Sequence, residues 1–330
     1  MAHSLLSSGV EEFSFPSLTQ ELYMNSINYK TRKLYVVYVK KWIAFCVERG
    51  YDYRKPIVRD FALFISFLYR QGLSYSAINI ARSAISFFAP QFEGHRLGSH
   101  PVICRILLGI RNLKPKISKY VAIWDVDMVL GFVFELWPLG GLPLPLLAKK
   151  LVILILLVTS GRIQCVLLLK LSNLVWVKQG LCIITLDKKM KHIRGGELGF
   201  VELNAFSPEP RLCVVKCLKQ YIARTKDLRG KVDDLIITTV KPYKAATYDT
   251  LACWVMDILR DSGVDVETFK SHSTRSATAS KLLKLKVPVD QILRRAGWAA
   301  ESTFRVFYDK QILPEGDVSQ TLLNSFLRKK

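Results

Sequence analysis

Apolar residues in the first third of the chain recur with a helical period, and Gly or Pro separates the periodic stretches. The stretch NYKTRKLYVVYVKKWIAFCVERG carries one apolar stripe and is closed by Gly50. The stretches IVRDFALFISFLYRQG, SYSAINIARSAISFFA and HPVICRILLGIRNL repeat this pattern, bounded by Gly72, Pro90 and Pro101. We therefore predict a helical domain over residues 23–113, after a weakly patterned, Ser-rich leader over 1–22 that we expect to be flexible.

The helical period is lost at NLKPKISKY, where lysines surround Pro115. Residues that precede a proline avoid the α region, which favours an extended connection. We predict a linker over 114–120 and a second domain over 121–330.

The second domain mixes helical and strand-like patterns. Helices are predicted near 125–136 and 145–159, and LVWVKQG, LCIITLDKK and LGFVELN are typical of strands. Alternation resumes after Gly195–Gly196, which predicts a β-hairpin, and LIITT at 235–239 is a further candidate strand. The predicted fold class is mainly α with a small antiparallel β-sheet, as a helical domain followed by an α+β domain.

Charge changes this picture by indicating a partner. Lys and Arg number 48 against 27 acidic residues, for a formal net charge of +21. Nucleic acid is the commonest partner of so basic a chain, although a merely soluble basic protein remains the plain alternative.

The longest apolar run, LVILILLV, is too short to span a bilayer, and no secretory pattern opens the chain. Seven scattered cysteines without a CxxC pair favour reduced thiols, and the five histidines lack the spacing of a zinc site.

Arg162, His272 and Arg275 are residue types that suit the binding and cleavage of a phosphodiester. Arg162 follows an apolar helix in VTSGRIQC and could hold a phosphate, or could be a surface arginine after a helix cap at Gly161. His272 and Arg275 are three residues apart, which puts them on one face of a helix beginning near Ser271. Taken alone, this pair is more typical of a solvated face than of a site.

The remaining candidates are a donor, a nucleophile and a basic hairpin. Trp298 carries an indole N–H that could donate to a phosphate oxygen, and Tyr308 carries a phenol that could attack phosphorus. In isolation Trp298 is explained equally well as a core tryptophan, and a lone tyrosine such as Tyr308 is most often a packing residue. Lysines at 188, 189 and 191 precede the predicted hairpin turn and could protonate a leaving oxygen or simply contact DNA backbone.

Taken together, these residues stand in the order Arg, hairpin Lys, His-x-x-Arg, Trp, Tyr behind a basic helical domain. That order resembles the tyrosine recombinases, also called the phage integrase family, over residues 25–312. The phrases SHSTRSAT, ILRRAGWAAESTF and FYDK look most like the recombinases of DIRS-like retrotransposons and cryptons. Two departures stand out: Cys165 occupies a position that is acidic in many members, and the gap from Trp298 to Tyr308 is one residue longer than the commonest spacing.

The resemblance implies a role for each candidate. Arg162 and Arg275 would hold the scissile phosphate with Trp298, Tyr308 would form a 3′-phosphotyrosyl link, and His272 would assist its deprotonation. The leaving 5′ oxygen would be protonated by Lys191, with Lys189 as the reserve choice and Lys188 still open.

The implied activity is site-specific recombination for integration or excision of a mobile element, with no cofactor or metal. The implied partners are double-stranded DNA and further copies of the chain in a homo-tetramer, with no membrane and no small-molecule substrate, inside the nucleus or a bacterial cytoplasm. An apolar stripe at Leu322, Leu323 and Phe326 predicts a tail helix that packs against a neighbouring protomer. A catalytically silent DNA-binding protein, a type IB topoisomerase-like enzyme and a helical scaffold remain as alternatives.

Overall fold

The computed structural model describes Leu6 and residues 16–115, 120–177, 180–187, 199–297 and 310–313. Contacts divide the chain into two compact units, Met1–Ile117 and Ser118–Lys330. The described residues form helices with small sheets, which confirms the predicted fold class. The domain roles and the linker stay predictions.

The first unit is helical, and its helices begin and end where the sequence carries capping residues. The side chains of Asn28 and Ser74 accept hydrogen bonds from backbone amides in the first turns of two helices, and Gly50 closes a helix in the left-handed conformation. The elements, numbered in chain order, are α1 (Ser17–Asn25), α2 (Tyr29–Arg49), α3 (Val58–Arg70), α4 (Tyr75–Phe88), β1 (Gln91–Phe92), β2 (His95–Arg96) and α5 (Pro101–Leu113).

The structure differs from the predicted flexible leader at two places. Residues Ser17–Asn25 are helical, and the Leu6 side chain is fully buried in the core of this unit. The Tyr23 ring lies 5.2 Å from that of Phe87, and its hydroxyl donates to the Phe87 carbonyl at 3.4 Å. The half-buried Tyr23 and Met24 pack this helix against the core, although its apolar pattern is too weak to predict a helix.

Aromatic side chains fill the core of the first unit, and lysines cover part of its surface. The Trp42 ring packs edge-on against Phe64 at 5.2 Å, and its indole N–H donates to the Tyr53 carbonyl at 3.0 Å. Lys30, Lys33, Lys40 and Lys41 of α2 are exposed. Arg82 of α4 is half-buried and donates to the Gly98 carbonyl at 3.0 Å.

The second unit surrounds one apolar helix. The elements are β3 (Ala122–Trp124), α6 (Val126–Glu135), α7 (Leu144–Thr159), α8 (Ile163–Leu167), β4 (Leu174–Val177), β5 (Leu181–Thr185), β6 (Phe200–Asn204), α9 (Val214–Thr225), α10 (Tyr248–Asp261), α11 (Ser273–Lys284), α12 (Val289–Ala296) and β7 (Gln311–Leu313). Strands β4, β5 and β6 form an antiparallel sheet in that order, which confirms the predicted hairpin strands, and β3 pairs in parallel with β7.

Helix α7 carries the most apolar run of the sequence and is almost entirely buried. It includes Lys150, whose ammonium donates to the carbonyls of Val133 and Leu136 at 2.9 and 2.7 Å, at the end of α6. The Val133 carbonyl also accepts from the Leu136 amide at 3.3 Å, so the lysine adds a charged donor to carbonyls at the end of the helix, while burial lowers its pKa. Within the described residues, no helix combines the length and hydropathy that a membrane crossing requires.

Two sequence predictions are wrong in detail. Residues 235–239 form no strand, because only an isolated bridge joins Ile237 to Ala245. Helix α11 begins at Ser273 and not near Ser271, because the Ser273 amide donates to the Lys270 carbonyl in a preceding turn. His272 therefore occupies the N-cap position instead of the first turn.

Candidate active site

Arg275 is the buried centre of the candidate site. Its side chain lies in α11 and is 4% exposed, which excludes the solvated arrangement that the local sequence favours. One terminal nitrogen donates to the Ser160 carbonyl at 2.9 Å and the other to the Ala296 carbonyl at 2.7 Å. A guanidinium has five N–H donors, and these bonds engage two of them. Arg275 thus joins the ends of α7 and α12 at one point.

Arg162 follows directly from the turn that Arg275 binds. The chain leaves α7 through Ser160, which adopts the left-handed conformation at a φ of 49°, so the cap is Ser160 and not Gly161. Gly161 is needed for another reason, because a Cβ there would lie 2.6 Å from the Thr159 hydroxyl oxygen. Arg162 is half-buried at the start of α8, only two residues beyond the carbonyl that Arg275 holds. Arg275 therefore fixes the turn from which Arg162 follows.

His272 is exposed at the N-terminal end of the helix that carries Arg275. Its Nε2 lies 3.3 Å from the hydroxyl of Tyr120, and the two rings are 5.7 Å apart with an interplanar angle of 32°. The next residue, Ser273, accepts a hydrogen bond from the Trp124 indole at 2.9 Å. Two aromatic residues of segment 120–124 therefore fix the beginning of α11.

The segment 120–124 also pairs with the last residues that the structure describes, 311–313. Strand β3 pairs with β7, with Ile123 opposite Ile312, and the Lys310 amide donates to the Ser280 hydroxyl of α11 at 3.1 Å. The residues on either side of 298–309 are therefore both bonded to α11, through Ala296 and Lys310.

An ion pair ties the other end of α11 to α6. Lys281 lies 2.9 Å from a carboxylate oxygen of Asp125 and 2.6 Å from one of Asp127. Burial raises the pKa of Asp125, but the hydrogen bond from the Asp127 amide and the pairing with Lys281 outweigh it, so the net pKa is lowered. The charged pair adds a further point of attachment for the helix that carries Arg275.

The other predicted site residues lie outside the described residues. These are Lys191, with its alternatives Lys188 and Lys189, together with Trp298 and Tyr308. Helix α12 is closed by Gly297, which adopts the left-handed conformation. Cys165 is half-buried in α8, with Gln164 exposed beside it.

Tyr120 and Trp124 are site-supporting residues that the sequence reasoning missed. Their signal is the apolar run YVAIW directly after the predicted linker, which is compatible with a buried strand. Their contacts with α11 span about 150 residues of sequence, so no local pattern predicts them.

This arrangement places the Arg275 guanidinium one helical turn from an exposed imidazole. Such a set can bind an anionic oxygen and exchange a proton next to it. Among the described residues, no group of His, Cys, Asp and Glu side chains is arranged to hold a metal ion.

A helical unit followed by an α+β unit with this small sheet is the tyrosine-recombinase fold. The chain belongs to the phage integrase family, whose model matches residues 146–312. No curated protein sequence matches the chain significantly.

Solved structures with the same fold have low sequence identity to the chain. One is the XerH site-specific recombinase bound to a palindromic difH substrate, with 17% identity, a TM-score of 0.57 and coverage of 91% of this chain and 80% of that one. Another is the Tn1549 transposon integrase in complex with transposon right end DNA, with 12% identity, a TM-score of 0.57 and coverage of 94% and 99%. A lambda integrase tetramer bound to a Holliday junction has 14% identity, a TM-score of 0.52 and coverage of 96% and 80%.

Proposed function

We propose that the chain is a site-specific DNA recombinase that cuts and rejoins DNA through a 3′-phosphotyrosyl intermediate. One observation carries this proposal: the buried Arg275 guanidinium bonds the turn before Arg162, one helical turn from His272. Arg162, predicted separately from the His272–Arg275 pair, thus follows a turn that Arg275 holds, which supports a joint role for the three residues in holding a phosphodiester and moving a proton beside it. The net charge of +21 and the exposed lysines of α2 supply attraction for duplex DNA.

The proposed reaction balances without a cofactor. The Tyr308 oxygen attacks the scissile phosphorus, its proton passes to His272, and the phosphorus–O5′ bond breaks. Lys191 supplies the proton that the departing 5′ oxygen needs. Arg162, Arg275 and Trp298 donate to the non-bridging oxygens, where charge builds in the transition state. The phosphotyrosyl bond conserves the energy of the broken ester, and attack by another 5′ hydroxyl reverses the step on a new strand.

The biological setting is also part of the proposal. The sequence phrases around His272 and Tyr308 support a place among the recombinases of DIRS-like and crypton elements, acting in the nucleus on integration or excision. A homo-tetramer would exchange strands through a Holliday junction, as the lambda integrase structure suggests for that protein. The apolar stripe in the tail 311–330 would pack on a neighbouring copy.

Nicked suicide DNA tests the proposal directly. Because the nick lets a short 5′ fragment diffuse away, a tyrosine recombinase becomes trapped as a covalent adduct that denaturing electrophoresis resolves. We expect an adduct with the wild-type chain and none with Tyr308→Phe, which removes only the attacking oxygen. Tyr243→Phe, which changes another tyrosine of the same unit, serves as the matched control and should retain the adduct.

Each alternative result of this experiment leads to a different conclusion. An adduct that persists in Tyr308→Phe means that the nucleophile is assigned wrongly. Binding of duplex DNA without any adduct, over a library of end sequences, would replace the proposal by a catalytically silent DNA-binding protein. Relaxation of supercoiled DNA by a monomer, without exchange between two sites, would replace it by a type IB topoisomerase-like enzyme.

A further inference from the structure

The exposed imidazole of His272 is held by a phenol that is itself fixed. Tyr120 is only 8% exposed, and its ring packs 5.3 Å from that of Phe269. Its oxygen accepts a hydrogen bond from the Lys270 amide at 3.3 Å and lies 3.3 Å from His272 Nε2. Backbone, ring packing and hydrogen bonding therefore hold the phenol oxygen against one particular nitrogen of the imidazole.

A neutral imidazole carries its proton on one nitrogen and accepts on the other, and the hydrogen bond at one nitrogen selects the role of the other. A phenol oxygen has two acceptor lone pairs, which suits two donors, the Lys270 amide and a protonated Nε2. An Nε2–H bond of this kind survives when the ring gains a second proton, because Nε2 is protonated in both states. Nδ1 is then the nitrogen that gains and loses the proton.

We propose that Tyr120 is a positioning residue for His272: its oxygen accepts from Nε2–H, fixes the ring plane, and assigns proton exchange to Nδ1. The consequence for DNA cleavage rests on the proposed function, whereas the tautomer is a property of the protein without DNA. Tyr120 contributes no atom to the reaction and acts only through the imidazole.

The tautomer is measured by two-dimensional NMR of the full chain labelled with ¹⁵N-histidine, in which His272→Gln identifies the signal of interest. We expect the wild-type His272 ring to be protonated at Nε2. In Tyr120→Phe the ring packing is retained but the acceptor is lost, so the ratio of Nε2–H to Nδ1–H tautomers should fall by roughly 2- to 12-fold, as for loss of one ordinary hydrogen bond. A wild-type ring protonated at Nδ1, or an unchanged ratio in Tyr120→Phe, would overturn the inference.

The matched control is Tyr221→Phe. The Tyr221 side chain is also buried in the second unit, and its oxygen also accepts from a backbone amide, that of Ile237 at 3.0 Å. The variant Tyr221→Phe therefore loses an equivalent hydroxyl without altering the contact of His272 with Tyr120, and its histidine spectrum should match that of the wild type. A shift of the His272 signal in Tyr221→Phe equal to that in Tyr120→Phe would mean that any buried hydroxyl has the same effect, and would also overturn the inference.

A second readout is the pH dependence of single-turnover adduct formation. Loss of the acceptor disfavours the doubly protonated ring, so the acidic limb of the rate profile should move to lower pH by about 0.3 to 1 unit in Tyr120→Phe. If the wild-type chain forms no adduct, the proposed function fails while the NMR result still decides the role of Tyr120. If the wild type forms the adduct, and Tyr120→Phe and Tyr221→Phe both show the same pH–rate profile as the wild type, the positioning role of Tyr120 fails while the proposed function stands.

Discussion

Replacement of Arg275 by Met tests whether the buried guanidinium holds the site together. The side chain donates to two carbonyls at 2.9 and 2.7 Å, and hydrogen bonds from a charged donor contribute about 1.5–3 kcal/mol each. Loss of both should therefore destabilise the second unit by roughly 3–6 kcal/mol, a large part of the 5–15 kcal/mol typical of a domain. Arg275→Lys keeps the charge but lacks the planar fork, so about half of that loss is expected.

Hydrogen exchange measured by mass spectrometry is the suitable assay, because a chain of two units need not unfold in one step. Peptides from α11 and α12 should lose protection in Arg275→Met. Peptides from α2, in the other unit, should be unchanged and serve as an internal reference. Unchanged protection of α11, within about 0.5 kcal/mol, would refute the reasoning, because it would mean that the two bonds contribute nothing.

The control separates stability from chemistry. Arg229 is also buried and also donates to oxygens, those of Thr225, Asp234 and Leu235, none of which belongs to α11 or to the turn before Arg162. Arg229→Met should lose comparable stability yet keep its adduct yield per folded molecule. Arg275→Met should lose about 10²–10³-fold in cleavage rate per folded molecule, as expected when one donor to the developing charge is removed. An equal loss in both variants would reduce Arg275 to a structural residue.

Two further predictions concern the turn before Arg162 and the buried thiol of Cys217. Gly161→Ala should destabilise the second unit by about 1–3 kcal/mol in urea unfolding, because its Cβ would meet the Thr159 oxygen at 2.6 Å. The double variant Gly161→Ala with Thr159→Ala should recover most of this loss. The control Gly131→Ala, whose Cβ would have no atom within 4 Å, should not destabilise the second unit. Burial raises the pKa of Cys217 to about 12, above the ordinary value near 8.5, so its contribution to stability is complete below that value and is lost as the pH rises toward 12. Unfolding free energy should then fall by up to about 1.4 kcal/mol per pH unit above 8.5 on account of this thiol, and a Cys217→Ala variant with the same slope as the wild type would contradict the assignment.

Local patterns predicted the elements of this chain well because local interactions define their ends. Asn28, Ser74 and Gly50 act as caps through their own side chains or backbone conformation, so the sequence contains the information that locates these three helix ends. The hairpin strands were predictable because alternation matches the two faces of β5, where Cys182 and Ile184 are buried. Features that depend only on neighbours in sequence need no knowledge of the rest of the fold.

The site could be predicted only in part, because its contacts are distant in sequence. His272 and Arg275 were found from their spacing, but the partner of Arg275 at Ser160 is 115 residues away and that of His272 at Tyr120 is 152 residues away. The same distance explains why Arg275 looked like a solvated residue: nothing in SHSTRSATASKLL indicates that α11 is enclosed. Burial of a polar helix is decided by what packs around it, which periodicity does not contain.

The burial of α11 itself indicates what the helix is for. Every residue from Ser273 to Ser280 is buried, although six of these eight side chains are polar or charged. Among the described residues, the hydroxyls of Ser276 and Thr278 have no hydrogen-bond partner, which costs about 1–3 kcal/mol for each. An apolar helix would be more stable in the same place, but it would lack the donors and acceptors that reach β3, the end of α7, the end of α12 and the residue before β7. The polar composition therefore exchanges stability for a fixed geometry among distant segments, and the proposed chemistry depends on that geometry.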